Sequence, residues 1–143
     1  MSAFCASSNL RRAARIVTRH YDHALRPVGV TAAQLPILAA ISAGSANSIA
    51  AMSKVLDIEA SSLSRDLALL EKKGLVRLTT AADRRSRALQ LTARGQRTLV
   101  SAFDAWRKAH DRLLSVVGER DFQSLLRQTR QVGRAVKTIR NRR

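Results

Sequence analysis

A single cysteine, Cys5, stands among 143 residues, so the chain can form no internal disulfide, which suits a reducing compartment. Aromatic side chains are only 3% of the sequence, too few for a single-strand or RNA reader built on stacked rings. Acidic residues are equally scarce, 10 Asp+Glu in all. Half of them stand directly beside an arginine, which argues against acid–base chemistry by paired carboxylates. The chain has no Gly-rich phosphate loop, no clustered Cys/His set and no Gly-x-Ser-x-Gly elbow, so no enzyme, cofactor or metal site is expected. No apolar run approaches the roughly 20 residues of a membrane span. Met1-Ser2-Ala3-Phe4-Cys5 also lacks the basic segment and apolar run of a secretory leader. The expectation is a cytoplasmic protein with no membrane partner.

What the chain has in excess is positive charge. Its 26 Lys+Arg leave a formal net charge of +16 at pH 7. A charge of that size repels itself unless a polyanion or counterions absorb it. Hydrophobic residues nevertheless make up 45% of the sequence, enough to bury a core, which excludes a disordered basic tail. Nucleic acid is the first partner to consider and an anionic membrane the second.

Apolar residues Leu10, Ala13, Ala14, Val17, Tyr21, Ala24 and Leu25 recur at helical spacing and predict a helix over about 7–25, ended by Pro27. Thr31 and Gln34 form a capping-box pattern for a second helix to about Ile41, with Pro36 imposing a kink or a late start. Ser48 can cap a short helix over about 49–55, and another runs from about Ala60 to Lys73, ended by Gly74. The period then changes to two at Val76/Leu78 and again at Leu89/Leu91, with a polar tip, Ala82-Asp83-Arg84-Arg85-Ser86-Arg87, between them. Helix returns after Thr92, where Leu99, Phe103, Trp106, His110, Leu113 and Val117 make a heptad-like seam. Gly118 breaks it, and Phe122, Leu125, Leu126, Thr129, Val132 and Val136 stripe a last helix. The fold class expected is mainly α with a small β wing, a single domain over 1–143. Residues 31–92 would form the winged helix-turn-helix, and 7–30 with 93–140 the helical dimerisation region.

Two short helices joined by Leu56-Asp57-Ile58-Glu59 make a helix-turn-helix, whose second helix would enter a DNA major groove. Leu63, Leu67 and Leu70 share one face of that helix, and Ser61, Arg65, Ala68 and Lys72 the opposite one. Small Ser61, Ser62 and Ser64 permit close approach to base edges, and the Arg65 fork suits guanine or phosphate. Arg84, Arg85 and Arg87 place three cations on a projecting loop, suited to phosphates or a narrow minor groove. Taken one at a time these are also what a solvated surface looks like. Their order within some 45 residues, helix, helix, strand, basic tip, strand, favours DNA.

Three segments resemble the MarR family of bacterial transcriptional regulators: Thr31-Ala32-Ala33-Gln34, Leu70-Glu71-Lys72-Lys73-Gly74-Leu75-Val76, and Asp83-Arg84-Arg85 leading to Leu91-Thr92-Ala93-Arg94-Gly95. The resemblance covers nearly the whole chain. It implies a homodimer, formed by the first and last helices, with a winged helix-turn-helix in each protomer. It also implies repression through a palindromic site in double-stranded DNA, often relieved by a small organic acid or an oxidant. Arg85 would brace the wing with Asp83, and Arg84 and Arg87 would sit near its tip. The sequence departs from the commoner pattern at Glu59, in place of a small hydroxyl cap, and at Ala60, where an arginine is frequent.

Two sensing features stand out. Cys5 begins the first helix, where the dipole favours a thiolate, and a redox-responsive regulator is one alternative function. Its rival is a cleft floored by Trp106 and edged by His20, His110 and Arg15 or Arg19, suited to an aromatic carboxylate. The histidines are equally suited to hydrogen-bonded interface positions, and His20 with His23 lacks further metal ligands. A second alternative is a nonspecific basic DNA-coating protein driven by charge alone.

Overall fold

The computed structural model describes residues 5–44, 48–80 and 87–141. Among these residues six α-helices and two paired strands follow in the order α1 (Ala6–Leu25), α2 (Gln34–Ser42), α3 (Ile49–Leu56), α4 (Ala60–Lys72), β1 (Val76–Thr80), β2 (Arg87–Leu91), α5 (Ala93–Val117) and α6 (Glu119–Asn141). The chain divides into two compact units, Met1–Trp106 and Arg107–Arg143. The described residues are mainly α with a two-stranded sheet, as the periodicities predict.

Each predicted boundary has a local cause. α1 runs into a 3-10 turn, Arg26–Val28, with Pro27 in its first turn and Gly29 closing it at φ +79°, a left-handed conformation that suits glycine. The Asp22 carboxylate then accepts the Ala32 N–H at 2.7 Å, tying α1 to the approach of α2. Thr31 Oγ1 accepts the Gln34 N–H at 3.2 Å, closing the turn that leads into α2, which starts late, with Ala33 as its N-cap, ahead of Pro36. Ser48 caps α3 through the Ala51 N–H at 3.1 Å. α4 ends in a Schellman arrangement: Leu75 N–H bonds the Leu70 carbonyl and Gly74 N–H that of Glu71, with Gly74 at φ +68°.

The second half of the capping box does not form. Gln34 is buried, and its side chain leaves Thr31 to reach across to α4. Its Nε2 donates to Asp66 Oδ1 at 3.5 Å and its Oε1 accepts from Lys73 Nζ at 3.3 Å. Lys73 Nζ also donates to the Gly29 carbonyl at 2.8 Å. A buried amide takes partners wherever they lie, and here they lie a helix away.

The core of the first unit is built around α2, in which Leu35, Ile37, Leu38, Ala40 and Ile41 are all buried. Leu25, Met52, Leu63, Leu70 and Val76 close on it from α1, α3, α4 and β1. α5 contributes Leu99 and Ala102, with Ala105 and Trp106 packed against the cluster. Phe103, on the expected seam, is 44% exposed: alanines take the core side and let the helix backbone approach. In the second unit the His110 and Phe122 rings meet edge to face at 5.1 Å, and Gly118, at φ +83°, turns α5 into α6. No helix among the described residues is long and apolar enough to cross a membrane.

Candidate nucleic-acid interface

The helix-turn-helix is formed by α3 and α4. Its turn passes through Asp57 at φ 54°, a left-handed position that Asp tolerates better than branched residues do. Ile58 N–H bonds the Ser53 carbonyl at 3.1 Å, and Ser53 Oγ donates to the Ile58 carbonyl at 2.6 Å. Leu63, Leu67 and Leu70 anchor α4 in the core, and Ser61, Arg65, Ala68 and Lys72 are exposed, as the helical wheel predicts.

Arg65 lies along its own helix. Its Nε donates to the Ser61 carbonyl and its Nη2 to Ser62 Oγ, both at 3.3 Å. The guanidinium is thereby held at the N-terminal half of α4, beside exposed Ser61. Ser64 turns its hydroxyl back to the Ala60 carbonyl at 2.8 Å. With Ile49, Leu67, Ala68, Glu71 and Val76 it lines a cavity of about 110 Å³ between the helix-turn-helix and the hairpin.

β1 and β2 pair antiparallel with Val76 opposite Leu91 and Thr80 opposite Arg87. Arg77, not singled out by the sequence reading, is exposed and donates to Gln90 Oε1 across the strands at 3.1 Å. Asp83, Arg84 and Arg85 lie outside the described residues. The base of the hairpin is locked by Thr92, whose N–H bonds the Leu75 carbonyl at 3.0 Å. Its Oγ1 donates to the Gly74 carbonyl at 2.7 Å and accepts the Gly95 N–H at 2.9 Å. A Cβ at Gly95 would run into the Leu75 carbonyl oxygen and stand 2.9 Å from its carbon. The Leu-Thr-x-x-Gly motif is thus a joint between the end of α4 and the start of α5.

Of the residues assigned to sensing, His20 and Trp106 are linked through Tyr21, which the sequence reading used only as an apolar position. Tyr21 stacks on Trp106 at 6.3 Å and meets His20 edge to face at 5.3 Å. Burial pushes the Tyr21 hydroxyl pKa up. Arg15 and Arg19 line an open groove along α1 with Arg11 and Thr18. His110 belongs to the second unit and pairs with Phe122 instead. Among the described residues no three His, Cys, Asp or Glu side chains cluster as metal ligands would.

Cys5 is exposed and forms the N-cap of α1 without a cap hydrogen bond. The Ser8 backbone N–H, then the Ser8 hydroxyl, nonetheless hold its thiol below the ordinary range. A lowered pKa enlarges the thiolate fraction at neutral pH, so alkylation by iodoacetamide should reach half its limiting rate below the pH of a free cysteine. Ser8→Ala should move that midpoint upward. A midpoint equal to that of a free thiol would show that these donors have no effect.

The MarR family model matches residues 28–86. The transcriptional regulator MosR of M. tuberculosis, in a crystal structure with DNA, is 34% identical to this chain; the match covers 95% of this chain and 98% of that one, at a TM-score of 0.84. The transcriptional repressor CouR, bound to a 23-mer DNA duplex, is 28% identical over 92% and 94% of the two chains, at 0.82. CouR bound to p-coumaroyl-CoA is 25% identical over 93% and 94%, at 0.83. With its buried α2, its helix-turn-helix and the hairpin locked at Thr92 and Gly95, the chain belongs to the MarR family of transcriptional regulators.

Proposed function

We propose that the protein is a homodimeric repressor whose two α4 helices occupy successive major grooves of a palindromic operator. The observation that carries this reading is the division of α4, with its leucines buried and Ser61, Arg65, Ala68 and Lys72 presented together to solvent. MosR and CouR, both seen with DNA, support it. Selection from random duplexes should return a palindrome with half-sites about one DNA turn, roughly 34–36 Å, apart. Enrichment of no sequence would leave charge-driven coating instead.

Arg65 is the residue placed to read a base. Arg65→Ala removes only exposed helix-surface hydrogen bonds, so the fold should persist. Operator affinity should fall by about 1–3 kcal/mol, roughly five- to 150-fold, with preference relaxed at one position per half-site. Equal losses on operator and random duplex, measured by fluorescence anisotropy, would make Arg65 a phosphate contact.

Release is assigned to a flat organic anion held near the His20–Tyr21–Trp106 rings, with Arg15 or Arg19 taking its charge. The likeness to CouR with p-coumaroyl-CoA, an aromatic acyl thioester, supports this class. A ligand releases the operator only by favouring a different spacing of the two α4 helices, and a tenfold loss needs about 1.4 kcal/mol of that preference. His20→Ala should blunt release by aromatic acids or their thioesters while leaving ligand-free DNA binding unchanged. Full release in that variant would remove His20 from the site. The lowered Cys5 thiol supports a second reading, release by peroxide, which Cys5→Ser would abolish.

A further inference from the structure

The positive charge is not where DNA reading alone would need it. Residues 31–92, which contain the helix-turn-helix and hairpin, hold 8 of the 26 basic and 5 of the 10 acidic residues, a net of +3. The flanking helical segments therefore carry +13 of the +16.

On α1 this excess is ordered. Arg11, Arg12, Arg15 and Arg19 are all exposed, and at helical spacing they fall within an arc of about 100°. None of the four guanidinium groups has a hydrogen bond or ion pair among the described residues. The one acid of the helix, Asp22, is taken by the Ala32 N–H at 2.7 Å. Tyr21 and Leu25 turn another side of α1 to the protein, Tyr21 stacking on Trp106 and Leu25 fully buried. Between Arg11, Arg15 and Arg19 only Ala14 and Thr18 intervene in the groove. From Arg11 to Arg19 the helix rises about 12 Å, the axial length of three to four phosphates on one DNA strand.

We propose that this arginine face of α1 is a second, sequence-independent binding surface for duplex DNA, distinct from α4 and the hairpin, through which one dimer holds a second duplex while occupying its operator. Charge complementarity names the occupant. Four uncompensated guanidinium groups in one row suit a regular line of phosphates. A lipid surface would need large apolar side chains interleaved within the row for insertion; Ala14 and Thr18 between the arginines are small, and exposed Ile16 stands beside the row rather than in it. The consequence is DNA bridging, a function beyond operator occupancy.

The test attaches a short random-sequence duplex to beads and asks whether full-length protein retains labelled operator on them. Wild type should retain it. The double variant Arg11→Gln, Arg12→Gln leaves in place Arg15 and Arg19, which the effector reading uses, and puts good helix formers at exposed positions, so it should remain folded. It should bind free operator within about twofold of wild type, lose retention roughly tenfold or more, and show a shallower salt dependence for the second duplex. Undiminished retention by the variant would overturn the proposal. So would a parallel loss of affinity for free operator, which would mean contact with the same duplex. Preference of wild type for phosphatidylglycerol vesicles over the bead-held duplex would assign the face to lipid and overturn it as well. The proposal rests on α4 being the operator reader, and the free-operator arm contains no second duplex. Failure of that reading therefore shows there as absent sequence preference, while bridging is still scored with any labelled duplex.

Discussion

Gly95→Ala is expected to be among the most damaging single-methyl additions in this protein. The new Cβ would collide with the Leu75 carbonyl, a backbone atom held by the hydrogen bonds of the α4 terminus and by the Thr92 N–H. Flexible side chains can give way to such an intrusion; a carbonyl bonded on this scale cannot move without its segment. Separating α5 from Leu75 would also strain the Thr92 bonds to Gly74 and Gly95. The loss should reach about 3 kcal/mol, the upper range for overpacking and strain, and a fall in Tm of about 10 °C for a chain of this size. Because the same joint carries both strands of the hairpin, DNA affinity should fall even well below Tm. Thermal unfolding followed by circular dichroism checks the first effect. A Tm within two or three degrees of wild type would show that the joint opens without cost.

Leu125→Asp should abolish association of the two chains. α6 exposes Leu125 at 50%, Val132 at 43% and Val136 at 58%, and α1 exposes Leu10 at 42% and Val17 at 38%, more apolar surface than single scattered residues explain. A two-fold interface would cover these faces and meet every substitution twice. If each buried carboxylate costs about 3 kcal/mol, the pair raises the dimer dissociation constant by about four orders of magnitude. Leu125 lies outside the core of the first unit, so helical circular dichroism should survive while sedimentation velocity reports a monomer. A folded wild-type monomer at micromolar concentration would sink the dimer, and with it the two-half-site operator.

Arg65 and the leucines of α4 were placed correctly by the wheel because a helix presents its faces by spacing alone. Ser48 and Gly74 were legible for a similar reason: caps act within three or four residues, and the hydrogen bonds that satisfy them are local. The two strands were legible from the period-two stretches, whereas their register, Val76 opposite Leu91, came from the structure. The Leu-Thr-x-x-Gly motif was visible as a family signature, yet its mechanical reason was not, since Gly95 and Leu75 are twenty residues apart.

The sequence by itself determined the order and type of the elements and the buried and exposed faces of α4, because periodicity and capping are written in neighbouring residues; its likeness to a winged regulator family rested on the three quoted motifs. The tertiary structure decided the rest. It sent Gln34 to Asp66 and Lys73 instead of its capping box, left Phe103 outward in favour of alanines, inserted Tyr21 between His20 and Trp106, and folded Arg65 onto Ser61 and Ser62. For the first three, the partner comes from a distant segment, or the choice depends on how closely two helices approach. Arg65 chooses among local partners, and its rotamer was open until the helix surface around it was complete. Packing density and the need to satisfy buried polar groups set those outcomes, and neither is a property of a stretch of sequence alone.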